Sequence, residues 1–102
     1  MQDFILAKRE QIAELCRKHH VRRLSVFGSA ARDDFDPQRS DVDLLVDFSS
    51  LDIPRFVDNF VDLRSSLASL FNREVDLVRE GVIRNPYRMR SIEADKVELY
   101  AA

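Results

Sequence analysis

The sequence predicts an α/β fold, a small β-sheet flanked by α-helices, because runs with a strand's alternation are interleaved with stretches of helical spacing. Three observations carry this. RLSVF, DVDLLVDF and EVDLV are short, rich in β-branched and aromatic residues, and bounded by turn-forming residues. Apolar residues recur at helical intervals before the first run and again between the second and third. The resulting order is helix, strand, turn, strand, helix, strand, helix, and nothing in it requires every strand to be parallel.

From about Asp3 to His20, Ile5, Ile12, Leu15 and Cys16 form one apolar face, with Lys8, Arg9, Glu10 and Glu14 between them. Arg17, Lys18, His19 and His20 crowd the negative pole of that predicted helix, which favours cations. Adjacent helical positions point about 100° apart, so the histidine pair reads as a helix end, not a metal site. The first strand, Arg23 to Phe27, stops at Gly28, where the backbone can take angles other residues avoid. SAAR suggests one helical turn from Ser29, and DDFDPQRS is loop around Pro37.

The second strand runs from about Asp41 to Phe48. Pro54 suits a first helical position, and Phe56, Val57, Phe60, Val61, Leu63, Leu67 and Leu70 give a core-packing helix to Phe71, ended by Asn72. Glu74 to Val78 is the third strand. A last helix is expected near Pro86, then a short extended piece from Val97 to Tyr100.

With 102 residues, 45% hydrophobic and 33% charged, the chain fits one soluble globular domain spanning 1–102. Net charge is −2, so no basic field favours nucleic acid or membrane. The N-terminus lacks the apolar core of a signal peptide and no apolar run approaches the ~20 residues of a spanning helix, which predicts a cytoplasmic protein. Cys16 alone can form neither an internal disulfide nor a zinc site, and reads as a core thiol.

The distinctive feature is acidic. Six of the fifteen residues from Asp33 to Asp47 are Asp, with Arg22, Arg23, Arg32 and Arg39 flanking or punctuating them. Along the second strand Val42, Leu44, Val46 and Phe48 share an apolar face, while Asp41, Asp43, Leu45 and Asp47 share the other. Same-face neighbours lie ~6.6 Å apart, from which two carboxylates can converge on one cation. Unrelieved, two such charges ~4 Å apart repel by about 4 kcal/mol at an effective dielectric of 20, and by about 1 kcal/mol in water. A lone Asp-x-Asp is common on solvated faces. Asp76, central in EVDLV opposite Val75 and Leu77, adds a third carboxylate from a second strand and makes a cation site a specific expectation.

Other chemistries fail on spacing. An EF-hand begun at Asp34 meets Arg39 where glycine is needed and Leu45 where a bidentate glutamate belongs. Ser29 lacks the G-x-S-x-G elbow of a hydrolase nucleophile. A sugar-transferring or sugar-cleaving domain needs a larger cleft than this length allows.

Gly28 and Ser29, then Asp41 and Asp43 in SDVDLLV, then Asp76 in VDLV, resemble the minimal nucleotidyltransferases of the DNA polymerase beta superfamily. The similarity extends from RLSVFGSAAR to the final VELY. Two positions depart from the pattern: eleven residues separate Ser29 from Asp41 where ten are usual, and Asp33 stands where a glycine would. The resemblance implies a mixed sheet, nucleotide phosphates bound by Gly28, Ser29 and Arg32, and Mg²⁺ held by Asp41, Asp43 and Asp76 as the catalytic carboxylates. It also implies transfer of AMP from ATP with release of pyrophosphate. For Arg32 the competing reading is a surface ion pair with Asp33 or Asp36.

Only about two dozen residues follow Val78, too few for the helical acceptor domain of larger relatives. Minimal members of the family are typically paired with a helical HEPN protein, and several are antitoxins that adenylylate a tyrosine of it. The resemblance therefore implies an antitoxin-type adenylyltransferase in a hetero-oligomer, without direct nucleic-acid binding. Phe4, Leu6, Tyr87 and Met89 offer either contact surface or core. The rival expectation is an antitoxin that keeps the fold and neutralises its partner by docking without chemistry. Modification of a small molecule is disfavoured by the missing acceptor domain.

Overall fold

The computed structural model describes residues 2–32, 35–36, 38, 40–50 and 52–102. The expectations attached to Asp33, Pro37 and Arg39 lie outside them.

Four strands form a mixed sheet, β1 (Val21–Phe27), β2 (Val42–Phe48), β3 (Val75–Arg79) and β4 (Val97–Ala101), in the order β3-β2-β1-β4. β1 runs antiparallel to both β2 and β4, whereas β2 and β3 are parallel. Parallel neighbours need a long crossover, and α3 (Phe56–Phe71) supplies it. The fourth strand is the expected terminal extended piece, which now closes the free edge of β1 and is anchored there by Ala102 N–H donating to the Arg22 carbonyl, 2.8 Å.

The core lies on one side of the sheet. Val42, Leu44 and Val46 of β2 and Leu24 and Val26 of β1 are fully buried together with Ile12 and Cys16 of α2 (Arg9–Lys18) and Leu63 and Leu67 of α3. Burial pushes the Cys16 thiol up to about 12, consistent with the core role expected of it. On the opposite side a smaller cluster of Phe27, Leu45 and Ile92 fastens α4 (Pro86–Asp95) across one end of the sheet. Leu45 thus explains its place on the acidic face of β2: it is the apolar seat for a helix.

Several boundaries differ from expectation. The predicted helix from Asp3 to His20 is broken into α1 (Asp3–Leu6) and α2, and no glycine or proline marks the break at Ala7 and Lys8. β1 starts at Val21 because His20 takes a left-handed φ of 63°, ending the helical path two residues early. Ser29 does not open an α-helical turn but sits within a single 3-10 turn, Gly28–Ala30. Pro54 is not the first residue of α3: Arg55 has φ 54° and the helix begins at Phe56. Asn72 ends α3 as expected, left-handed at φ 53°, with the Arg73 and Asn72 amides donating to the Ala68 and Ser69 carbonyls in a Schellman arrangement. Asn85 caps α4 by accepting from the Tyr87 and Arg88 amides, with Pro86 at the first helical position. No helix among the described residues is long and apolar enough to cross a membrane.

His19 is 2% exposed and is more than a helix-end cation. Its Nδ1 lies 2.8 Å from the Leu15 carbonyl and its Nε2 2.6 Å from Asp62 Oδ2 on α3, while its own carbonyl accepts from Asn59 Nδ2 at 2.9 Å. These bonds tie the end of α2 to α3.

Candidate active site

Asp43 and Asp76 are direct neighbours in the parallel β2–β3 register, so both side chains leave the sheet on the face opposite the main core. Val75 and Leu77, flanking Asp76, are buried on the core face. Asp41 precedes β2 and is exposed. Burial, then the charge of Asp76, then that of Asp41, raise the Asp43 carboxyl above its ordinary range, and Arg88 and Arg32 partly oppose them. The three charges are therefore close enough for Asp43 to feel both others.

β1 delivers the turn. Phe27 pairs with Asp43, and Gly28 follows it with φ 69°. A β-carbon on Gly28 would lie 2.5 Å from Asp43 Oδ2, so the absence of a side chain here leaves the space that the carboxylate fills. The turn is braced from the N-terminus, where the Gln2 amide donates to the Ala30 carbonyl at 3.3 Å and Gln2 Nε2 to the Arg32 carbonyl at 2.9 Å.

The fourth wall comes from α4. Arg88, Ser91 and Asp95 recur at three- and four-residue spacing beside the buried Ile92, and together with Gly28, Arg32 and Asp43 they line a cleft of about 300 Å³. Arg32 bonds Asp95 across it; of the partners expected for it, Asp33 lies outside the described residues. Arg88 reaches Asp76 only at 3.9 Å. A larger hollow of about 450 Å³ between α3 and β3, lined by Phe56, Phe60 and Val82, is almost wholly apolar and carries no carboxylate.

Asp47, on the same face of β2 as Asp43, belongs to a different arrangement. Arg22 Nε donates to its Oδ2 at 2.8 Å and Arg23 stands at 3.7 Å. The side chain of Asp43 has no ion pair or hydrogen bond among the described residues, which separates a neutralised carboxylate from one left available. Of the apolar residues offered as contact surface, Phe4 packs partly buried against Phe35 and Phe71, Met89 is half-buried, and Leu6 and Tyr87 are exposed.

The residues suit a hard divalent cation in chemistry. Every donor is a carboxylate oxygen, and Mg²⁺ usually takes one or two carboxylates together with substrate phosphates. Among the described residues no group of three or more His, Cys, Asp or Glu forms a ready-made cage, so the phosphates would have to complete the shell. The α4 residues were not singled out in the sequence. Their signal was the spacing of Arg88, Ser91 and Asp95 around Ile92, which becomes legible only when Ile92 is known to face the sheet.

A family model for the nucleotidyltransferase domain matches residues 8–99. The chain is 39% identical over 93 residues to "Putative protein adenylyltransferase MJ0128" of Methanocaldococcus jannaschii, covering 91% of this chain and 89% of that protein. It is 34% identical over 89 residues to "Putative protein adenylyltransferase MJ0126" of the same organism, covering 87% of each. Among solved structures, a "putative minimal nucleotidyltransferase" aligns with TM-score 0.73 at 30% identity, over 94% of this chain and 95% of that one. A structure of the tri-AMPylated Shewanella oneidensis HEPN toxin in complex with MNT antitoxin aligns with TM-score 0.65 over 96% of this chain and 73% of the matched one; at 20% identity that likeness is one of fold. The mixed sheet and its flanking helices agree with these neighbours, and the chain belongs to the nucleotidyltransferase domain family.

Proposed function

We propose that this protein is a Mg²⁺-dependent adenylyltransferase that moves AMP from ATP to a hydroxyl of a partner protein, in the manner of an antitoxin acting on a helical HEPN toxin. The observation that carries the reading is Asp43, which lines the cleft beside Gly28 and has Asp76 as its in-register neighbour on β3. Its support from relatives is the name protein adenylyltransferase carried by the Methanocaldococcus jannaschii proteins and the toxin–antitoxin complexes among the structural neighbours.

In this reading the Gly28 turn and Ser29 receive the phosphates, with Arg32 at their edge. Asp41, Asp43 and Asp76 would hold Mg²⁺, which when bound neutralises phosphate charge and aligns the reacting groups. Asp76 is the more accessible of the paired carboxylates and accepts the proton of the attacking hydroxyl. The hydroxyl oxygen bonds to the α-phosphorus, the bond to the departing pyrophosphate breaks, and the proton passes to the carboxylate. The cytoplasm, where ATP and Mg²⁺ are plentiful, is the compartment in which this chemistry would operate.

The test is to incubate the purified protein with Mg²⁺, ATP and the product of the neighbouring gene, then weigh that product. Adenylyl additions that disappear with Asp41→Asn and Asp43→Asn support transfer. Tight association without a change in mass supports the rival reading, docking without chemistry, which the lack of a pre-formed three-carboxylate cage among the described residues keeps in view.

A further inference from the structure

Arg88 differs from the other arginines near the acidic face in how it is held. Arg22 is bonded to Asp47 and Arg32 to Asp95, each within hydrogen-bond range. The Arg88 guanidinium stands 3.9 Å from Asp76 Oδ2, beyond hydrogen-bond distance, and its side chain is 51% exposed. Five N–H donors in a planar fork are thus presented to a cleft whose floor is Asp43 and Gly28. The base of that side chain is fixed. Asn85 caps the first turn of α4, and Ile92, one turn further on, is buried against Phe27 and Leu45. A rigid helix therefore carries a long side chain whose ion-pair partner among the described residues is Asp76, at 3.9 Å.

The geometry points to Arg88 as an exchangeable counter-ion: beside Asp76 it partly offsets the charge of the Asp43–Asp76 pair in the absence of ligand and transfers to the polyphosphate of the nucleoside triphosphate when that enters the cleft. This inference rests on the adenylyltransferase reading and adds to it a phosphate-binding residue on α4. The chemistry favours the exchange, because a planar guanidinium matches phosphate oxygens bidentately, and Mg²⁺ held by the carboxylates would offset their charge in its place. A purely structural Arg88, a surface partner for Asp76, would not distinguish a ligand with phosphates from one without.

The experiment compares wild type, Arg88→Ala, Arg88→Lys and Asp43→Asn by isothermal titration with a non-hydrolysable ATP analogue and with adenosine, with and without Mg²⁺. Circular dichroism melting confirms that each variant is folded. Expected for Arg88→Ala is triphosphate binding weakened about 10- to 100-fold, the loss of a charge-assisted hydrogen bond, with adenosine binding unchanged. Arg88→Lys, which keeps the charge but not the fork, recovers only part of it. Binding of Mg²⁺ alone is unchanged or tighter in Arg88→Ala, since a competing cation has gone. Triphosphate affinity equal to wild type, or an equal loss for triphosphate and adenosine, overturns the assignment while leaving the adenylyltransferase reading intact, provided that Asp43→Asn still abolishes the Mg²⁺ dependence. A wild-type protein that binds no nucleotide overturns both.

Discussion

The Asp43 carboxylate occupies the space that a side chain on Gly28 would need, with Oδ2 only 2.5 Å from the position of a β-carbon there. Gly28 is also left-handed at φ 69°, so two separate constraints select glycine, one from the backbone and one from the neighbouring strand. Gly28→Ala should cost about 1–2 kcal/mol of stability through the backbone alone. Because the new methyl must displace Asp43, nucleotidyl transfer should fall by about 100-fold or more in protein that remains folded at 25 °C. Thermal melting and the mass assay, run on the same preparation, separate the two effects.

Asp43 itself should trade stability for chemistry. Its folded-state carboxyl is raised above 3.8 by burial and by Asp76 and Asp41, so the unfolded chain releases this proton first. The penalty on the folded state therefore appears as pH rises from 3.8 through the raised value and is present in full at neutral pH. Asp43→Asn should melt higher than wild type at neutral pH, by roughly 1 kcal/mol, the scale of one like-charge repulsion in water. The gain should shrink to nothing on acidification below 3.8, and added Mg²⁺ should stabilise wild type more than the variant. An Asp43→Asn protein less stable than wild type at neutral pH would contradict this account.

The bond from His19 to Asp62 gives the opposite sign. It lowers the Asp62 carboxyl below its ordinary 3.8, so the stabilisation is present above that pH and is lost as pH falls through the depressed value. Asp62→Asn should lower the melting temperature near neutrality and match wild type in strong acid. Asn59→Ala, which removes only the bond to the His19 carbonyl, should be destabilising with a much flatter pH dependence.

Ile92 holds α4 against Phe27 and Leu45 and is 2% exposed. Ile92→Ala should destabilise by about 2–4 kcal/mol, as for a buried large aliphatic residue. It should also weaken triphosphate binding, because the cleft loses the rigid wall that carries Arg88. Nucleotide titration below the melting temperature of the variant checks this.

Much of the architecture was legible because β-branched runs and helical apolar spacing agree along the chain, and Asn72, Pro86 and Gly28 stand at the ends they suggest. The boundaries that moved did so where backbone angles, not composition, decide: His20 and Arg55 adopt left-handed angles that no local pattern announces. Asp43 and Asp76 could be placed on like faces from alternation, but their pairing depends on the parallel register, which a sequence does not state. Asp47 shared that face in the sequence and is set apart only by Arg22 and Arg23, contributed by the adjacent strand. The α4 wall was hidden for a related reason: Arg88 reads as one of several basic residues until Ile92 fixes which way the helix turns.

Because β2 and β3 pair residue for residue, the hydrogen-bond ladder between them also acts as a ruler for the chemistry. One residue inserted between Asn72 and Val75, if absorbed by sliding β3 a single step, would turn Asp76 toward the interior and bring an apolar neighbour into the cleft. Length change in this short connection should be forbidden far more strictly than sequence change, so a library of deletions and insertions scored for activity would draw the borders of the catalytic unit more sharply than point substitutions could.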